Sequence, residues 1–219
     1  MKFLPFLLIL LLLAPSLNGQ HPSQWRGSDR NGTYNESNLL RQWPEEGPEL
    51  IWYSEDIGNG HSSASVTNDR VYVTGREDAL EYLSSFDLEG NQLWKVPFGK
   101  RWQGSFPDSR STPNVVGDRI YVVSGMAEVV CLDAHTGKIE WTVNALEKFE
   151  GICTMWGFCE SPLVFDDKVV FTPGGNQTHM VALNRTNGEP IWKSESLGDS
   201  VSYVSPVLIE HNNKKLIAS

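Results

Sequence analysis

One eleven-residue phrase, written three times, constrains this chain more than any other feature. Its fullest copy is Cys131-Leu132-Asp133-Ala134-His135-Thr136-Gly137-Lys138-Ile139-Glu140-Trp141. A small residue is followed two places on by Asp, four further by Gly, and four further again by Trp. The spacing returns in Ala182-Leu183-Asn184-Arg185-Thr186-Asn187-Gly188-Glu189-Pro190-Ile191-Trp192, and one residue shorter in Ser85-Phe86-Asp87-Leu88-Glu89-Gly90-Asn91-Gln92-Leu93-Trp94. Each copy reads as strand, tight turn, strand. The Asp or Asn side chain opens the turn, and Gly supplies its positive φ. The apolar residues on either side belong to paired strands.

Two markers recur with a common period. Trp falls at 52, 94, 141 and 192, at intervals of 42, 47 and 51. Ser63-Ala64, Thr112-Pro113, Ser161-Pro162 and Ser205-Pro206 are separated by 49, 49 and 44. A period of this length signals a propeller or a solenoid. Four short strands fit between successive Ser/Thr markers, as in Asn114 to Val116, Arg119 to Val123, Ala127 to Leu132 and Lys138 to Val143. The next unit offers Leu163 to Phe165, Lys168 to Thr172, Thr178 to Leu183 and Pro190 to Ser194. Four strands per repeat is the blade of a β-propeller, and unbroken strand-and-turn patterning excludes an α/β fold. The expected fold is therefore all-β: a propeller of four-stranded antiparallel blades, about three and a half of them in this chain. The blades run over about 60–98, 108–145, 158–196 and, incomplete, 203–219. Propellers close with 4 to 8 blades, so such an arc is completed either by further sequence, making this a front portion, or by another chain. Glu49-Leu50-Ile51-Trp52 reads as the last strand of a blade whose inner strands are absent, hence as an unpaired strand.

Three regions follow: a leader at 1–19, a lead-in at 20–48 and the partial propeller at 49–219. Met1-Lys2 and the apolar run Phe3 to Ala14 form a secretory leader with cleavage near Gly19; the run is shorter than the ~20 residues of an ordinary membrane span. Export follows, to the periplasm or the medium, with no membrane span after cleavage. The lead-in is rich in Gly, Pro and polar residues, which argues against regular structure. Its Trp25, Tyr34 and Trp43 are expected to lie against the folded body. The net charge is −9, with 27 acidic against 18 basic residues. Such a surface repels phosphate backbones, which excludes nucleic acid as the main partner. Cysteine usage is thin. Cys131 belongs to buried packing, while Cys153 and Cys159 are close enough in one connecting segment for a disulfide that export permits and spacing alone does not establish. No Cys/His pattern of a metal site is present.

The repeat resembles the pyrroloquinoline-quinone-like propeller family, whose tryptophan-docking pattern is Ala-x-Asp-x-x-Thr-Gly-x-x-x-Trp. Asp133, Thr136, Gly137 and Trp141 match it, with Cys131 in place of Ala. Ala182, Gly188 and Trp192 match again, with Asn184 and Asn187 replacing Asp and Thr. The copy ending at Trp94 departs by one deletion. The resemblance extends over about residues 49–219, and the segment from Gln24-Trp25-Arg26-Gly27 through Gly47-Pro48 looks like that of secreted bacterial members. It implies that Cys131, Gly137, Trp141, Ala182, Gly188, Trp192 and Trp94 are structural. Each indole would lie over a peptide plane of the next blade with its N–H on a backbone carbonyl, and the small first residue would let the ring approach.

Propeller ligands bind at the mouth of the central channel, lined by the loops that enter each innermost strand. Here these loops carry His61, Arg110, Glu160 and Tyr203, with Trp102 and Trp156 in the longer approaches as flat surfaces. Different polar groups at equivalent places in successive blades converge on one axis. No catalytic residue is assigned. Two functions follow from the resemblance. One is a binding or scaffold module of the envelope, holding a protein or small-molecule ligand. The other is a quinoprotein dehydrogenase oxidising an alcohol or sugar. In that case Arg110 would anchor the tricarboxylate cofactor PQQ, Glu and Asn would hold Ca²⁺, and Asp108 is the one rim Asp placed to act as a base. The adjacent cysteines of the alcohol-oxidising enzymes are missing from this chain.

Overall fold

A computed structural model describes residues 23–34 and 36–219; the leader expected at 1–19 lies outside the described residues. The first sheet comprises β1 (Ser65–Val66), β2 (Arg70–Glu77), β3 (Leu80–Asp87) and β4 (Gln92–Lys100). The second comprises β5 (Asn114–Val116), β6 (Arg119–Val123), β7 (Glu128–Asp133) and β8 (Ile139–Asn144). The third comprises β9 (Leu163–Phe165), β10 (Lys168–Phe171), β11 (Val181–Asn184) and β12 (Pro190–Lys193). In each, strands pair antiparallel in sequence order. A fourth unit consists of β13 (Val207–His211) and β14 (Lys214–Ala218) alone. The described residues thus form three four-stranded blades and a two-stranded part of another. A short helix, α1 (Ala145–Phe149), follows β8; Asn144 caps it by accepting from Leu146 N and Glu147 N, and Glu150 ends it at φ 50. Nothing in the repeat pattern pointed to this turn of helix, which belongs to the blade connection.

The core is divided into slices between blades. Leu83, Phe98, Ile120, Val122, Val130 and Leu132 fill the space between the first and second blades. Tyr121, Val129, Cys131, Trp141, Val169, Phe171, Val181 and Leu183 fill that between the second and third. Leu163, Val170, Met180 and Ala182 pack with Trp192, Leu208 and Ile217 toward the fourth.

The repeated phrase works through these slices. Asp133 Oδ1 accepts from His135 N, Thr136 N and Thr136 Oγ1, and Asp87 and Asn184 open their turns in the same way. The turn glycine is then needed twice over. Gly90, Gly137 and Gly188 have φ of 88°, 71° and 74°. A Cβ on them would come within 2.6 Å of the Trp52 ring, 2.8 Å of Trp94 and 2.8 Å of Trp141, respectively. Each indole therefore lies on the glycine turn of the following blade. The small residue that opens the phrase lies beside the indole that closes it. Ser85, Cys131 and Ala182 stand directly across the ladder from Trp94, Trp141 and Trp192 of their own blades, each next to a bulge.

Two of the seams use the carbonyl at the same position of the turn. The Trp52 indole donates to Leu88 O at 3.0 Å, and the Trp141 indole to Arg185 O at 3.1 Å. Arg185 O also receives Tyr121 OH and Arg119 Nη1. Ala134 O, the equivalent atom one blade earlier, receives Tyr72 OH and Arg70 Nη1, and the Trp94 indole N–H has no partner. Glu49 to Trp52 forms no strand. The segment is unpaired, and only its indole is docked, on the first blade.

The Ser/Thr marker has an equally direct cause. Ser63 N donates to Thr112 Oγ1, Thr112 N to Ser161 Oγ and Ser161 N to Ser205 Oγ, each at 3.0 Å. One hydroxyl per blade thus ties each inner strand entry to the next, which keeps the spacing of the markers. Proline beside it is tolerated because the innermost edge faces the axis and needs no ladder N–H. The lead-in is held in part. Ser23 bridges Val115 on β5 in both directions at 3.1 and 2.8 Å, and Arg30 is buried. Tyr34 and Trp43 are 60% and 64% exposed, so these two aromatics do not lie buried against the body.

Candidate functional site at the axial cleft

The inner strand entries converge on a cleft of about 430 Å³ lined by His61, Arg110, Cys159 and Tyr203, by the hydroxyl series Ser63, Thr112, Ser161 and Ser205, and by Trp25 and Arg26 of the lead-in. His61, Arg110 and Tyr203 are thereby brought together from three blades. Glu160 is not among the lining residues. Its side chain is buried at 4% exposure, with Oε2 accepting from Thr172 N, and burial raises its pKa to about 8 against the opposing pull of Arg30. Trp102 also lies below the rim. Its ring is wedged against Gly104 and Gly157, and its indole N–H is buried without a partner. Trp156 is 45% exposed and stacks on Phe106 with ring centroids 6.3 Å apart.

Arg110 is the hub of the rim. Its guanidinium donates to Asp108 O, to Trp156 O, to Phe106 O and to the Tyr203 hydroxyl. Four of its five N–H groups are thus committed to holding loops of three successive units together. The Asp108 carboxylate turns the other way. It accepts from Arg76 Nε and Nη2 at 3.0 and 2.9 Å, with His61 Nε2 at 3.7 Å. Cys131, Cys153 and Cys159 are free thiols. Burial pushes the Cys159 thiol up to about 11, so it is neutral and a weak nucleophile at pH 7.

Glu81 escaped the reading of the sequence. It is 2% exposed on β3, accepts from Ser109 Oγ at 2.6 Å and from Gly125 N at 2.8 Å, and burial lifts its pKa to about 7. Both partners come from the second blade and its approach, so no local spacing announces the site. Arg30 was missed for the same reason, its acceptors lying more than a hundred residues away.

The lining carries Arg26, Arg110 and His61 and no acidic side chain, in a chain whose net charge is −9. It suits a polar or anionic group. The residues implied for PQQ and its calcium do not fit that group. Arg110 is spent on carbonyls and a phenol, Glu160 faces away from the cleft, and no cluster of three His, Cys, Asp or Glu side chains with metal-binding geometry occurs among the described residues. No helix of the described residues is long and apolar enough to cross a membrane.

Indole-sealed four-stranded blades around a shared axial cleft define a β-propeller repeat protein. A family model described as outer membrane protein assembly factor BamB matches residues 79–218, more than half of the chain, and the chain belongs to this PQQ-like repeat family. Among curated relatives, a quinoprotein ethanol dehydrogenase of Pseudomonas putida is 29% identical over 166 residues, covering 71% of this chain and 25% of that protein. The outer membrane protein assembly factor BamB of Moranella endobia is 28% identical over 158 residues, covering 66% and 37%. The chain therefore spans a quarter to somewhat over a third of the length of these relatives. A solved europium-containing methanol dehydrogenase shares the fold, with a TM-score of 0.50 at 20% identity over 66% of this chain and 26% of that one.

Proposed function

We propose that the protein is an exported binding or scaffold module of the cell envelope, with residues 1–19 as the cleaved leader and 20–48 as the lead-in to the propeller at 49–219. The indole seams are its tryptophan-docking contacts, and the axial rim presents the surface for a protein or small-molecule partner. One observation carries the choice: Arg110, the residue best suited to anchor a quinone carboxylate, has its guanidinium committed to Asp108 O, Trp156 O, Phe106 O and Tyr203 OH. A staple of this kind rigidifies a recognition surface and leaves little donor capacity for a cofactor. The likeness to an outer membrane assembly factor supports the same reading.

The second reading, a quinoprotein dehydrogenase, is supported by the likeness to an ethanol dehydrogenase. Incubation with PQQ and Ca²⁺, followed by absorbance and dye-reduction measurements with ethanol or glucose, separates the two. The scaffold reading expects no retained quinone absorbance after gel filtration and no dye reduction above a protein-free control. Stoichiometric quinone with substrate-dependent dye reduction would overturn it.

A further inference from the structure

Arg30 is the one guanidinium of the lead-in that the fold buries, at 3% exposure. Its Nη2 donates to Ser161 O at 2.6 Å, and its Nη1 to Pro162 O at 2.9 Å and Gln24 Oε1 at 3.3 Å. Asn114 closes the cage from the second blade, with Nδ2 on Gln24 Oε1 at 2.9 Å and on Pro162 O at 3.1 Å. Seven residues upstream, Ser23 adds to the free edge of β5 at Val115. Behind the guanidinium stands Glu160, 4% exposed, whose Oε1 is buried without a partner. Two neighbouring carbonyls match a planar fork of donors. They match a lysine ammonium poorly, because it presents a point charge without the parallel N–H pair.

The occupant is lightly secured elsewhere. Residues 31–34 and 36–46 are all exposed. The next tie is the Trp52 indole on Leu88 O. A groove of about 430 Å³ runs beside the segment, with Gln24, Asp29 and Arg30 on one side and Leu163, Val164 and Phe165 on the other. The buried end is therefore reached from open space.

We propose that the second and third blades form a guanidinium-binding site at the propeller axis, filled here by the chain's own Arg30, and that it accepts an arginine from an extended peptide when the lead-in leaves. The peptide adds to the edge of β5 as Ser23 does and places its guanidinium on Ser161 O and Pro162 O. In the intact chain the tether holds Arg30 at an effective concentration on the order of millimolar, which keeps competitors out. The site adjoins the axial cleft, whose lining shares Ser161 with it, and it stands whether or not the scaffold reading holds.

The test uses the full chain with Arg30→Ala and a fluorescent nonapeptide with the sequence of residues 23–31, followed by anisotropy. Binding at least tenfold tighter to Arg30→Ala than to the wild type is expected, with a loss of tenfold or more when citrulline replaces Arg30 in the peptide. Equal affinity for the two proteins, or full retention with citrulline, overturns the proposal. Should Arg30→Ala lose its cooperative thermal transition, hydrogen exchange of the wild-type Ser23 to Arg30 amides supplies the answer. Ethylguanidinium should accelerate it severalfold more than ethylammonium at equal concentration, and equal effects of the two cations overturn the idea.

Discussion

At the scale of single residues, the buried carboxyls set how the protein responds to pH. Burial raises Glu160 to about 8 and Glu81 to about 7, above the 4.5 of a free Glu side chain. The fold favours their protonated forms. The stability they contribute is complete below the unfolded value and is lost as pH rises through 7 and then 8. The thermal midpoint should accordingly fall between pH 5 and pH 9. Glu160→Gln, which keeps an acceptor for Thr172 N and carries no charge, should flatten the upper part of that fall. A pH series of melting curves checks this, and parallel curves for variant and parent would contradict it. Arg110 makes a different prediction. Arg110→Ala releases Trp156 O, Phe106 O and Tyr203 OH together, at a cost of ~1–3 kcal/mol. Urea unfolding reads the cost, and limited proteolysis should show earlier cleavage near Phe106 and Trp156.

At the scale of elements, the unit of stability is the seam between blades. Trp141 rests on the turn at Gly188 and donates to Arg185 O. Trp141→Ala should cost ~3–5 kcal/mol, as other large core truncations do. Gly188→Ala would place a Cβ 2.8 Å from the Trp141 ring at a φ of 74°, and should cost ~1–3 kcal/mol through strain and overpacking. The two changes act on one contact, so the double variant should lose less than their sum in a denaturation cycle. Strict additivity would mean that ring and turn do not share that contact. Thr112→Val removes the acceptor of Ser63 N, and a loss of ~1 kcal/mol is expected.

At the scale of the molecule, stability is a chain of neighbour contacts, and its weakest link is the two-stranded unit β13 and β14. Ile209 and Leu216 there are 46% and 49% exposed, whereas Val122, Val130, Val170 and Leu183 in the blades before it are fully buried. Repeat architectures open first at units with few buried apolar contacts. Amide exchange should therefore be fastest in Val207 to Ala218 and slowest in β6, β7, β10 and β11. Uniform protection across all four units would show that the blades unfold as one.

The local pattern sufficed for the repeat itself. Asn114–Val116, Arg119–Val123 and Leu163–Phe165 have the strand limits that turn chemistry and alternation imply, because hairpin turns and strand faces are decided by neighbours in sequence. The Ser/Thr marker and the Trp series were visible as periods for the same reason, though their hydroxyl and indole bonds were not. What the chain does at its axis came only from tertiary structure. Whether Arg110 is a ligand anchor or a staple depends on Trp156 and Tyr203. Whether Glu160 faces the cleft or Arg30 depends on a lead-in more than a hundred residues away. Side-chain orientation and burial are set by groups remote in sequence, and no spacing rule encodes the direction in which a carboxylate or a guanidinium finally points.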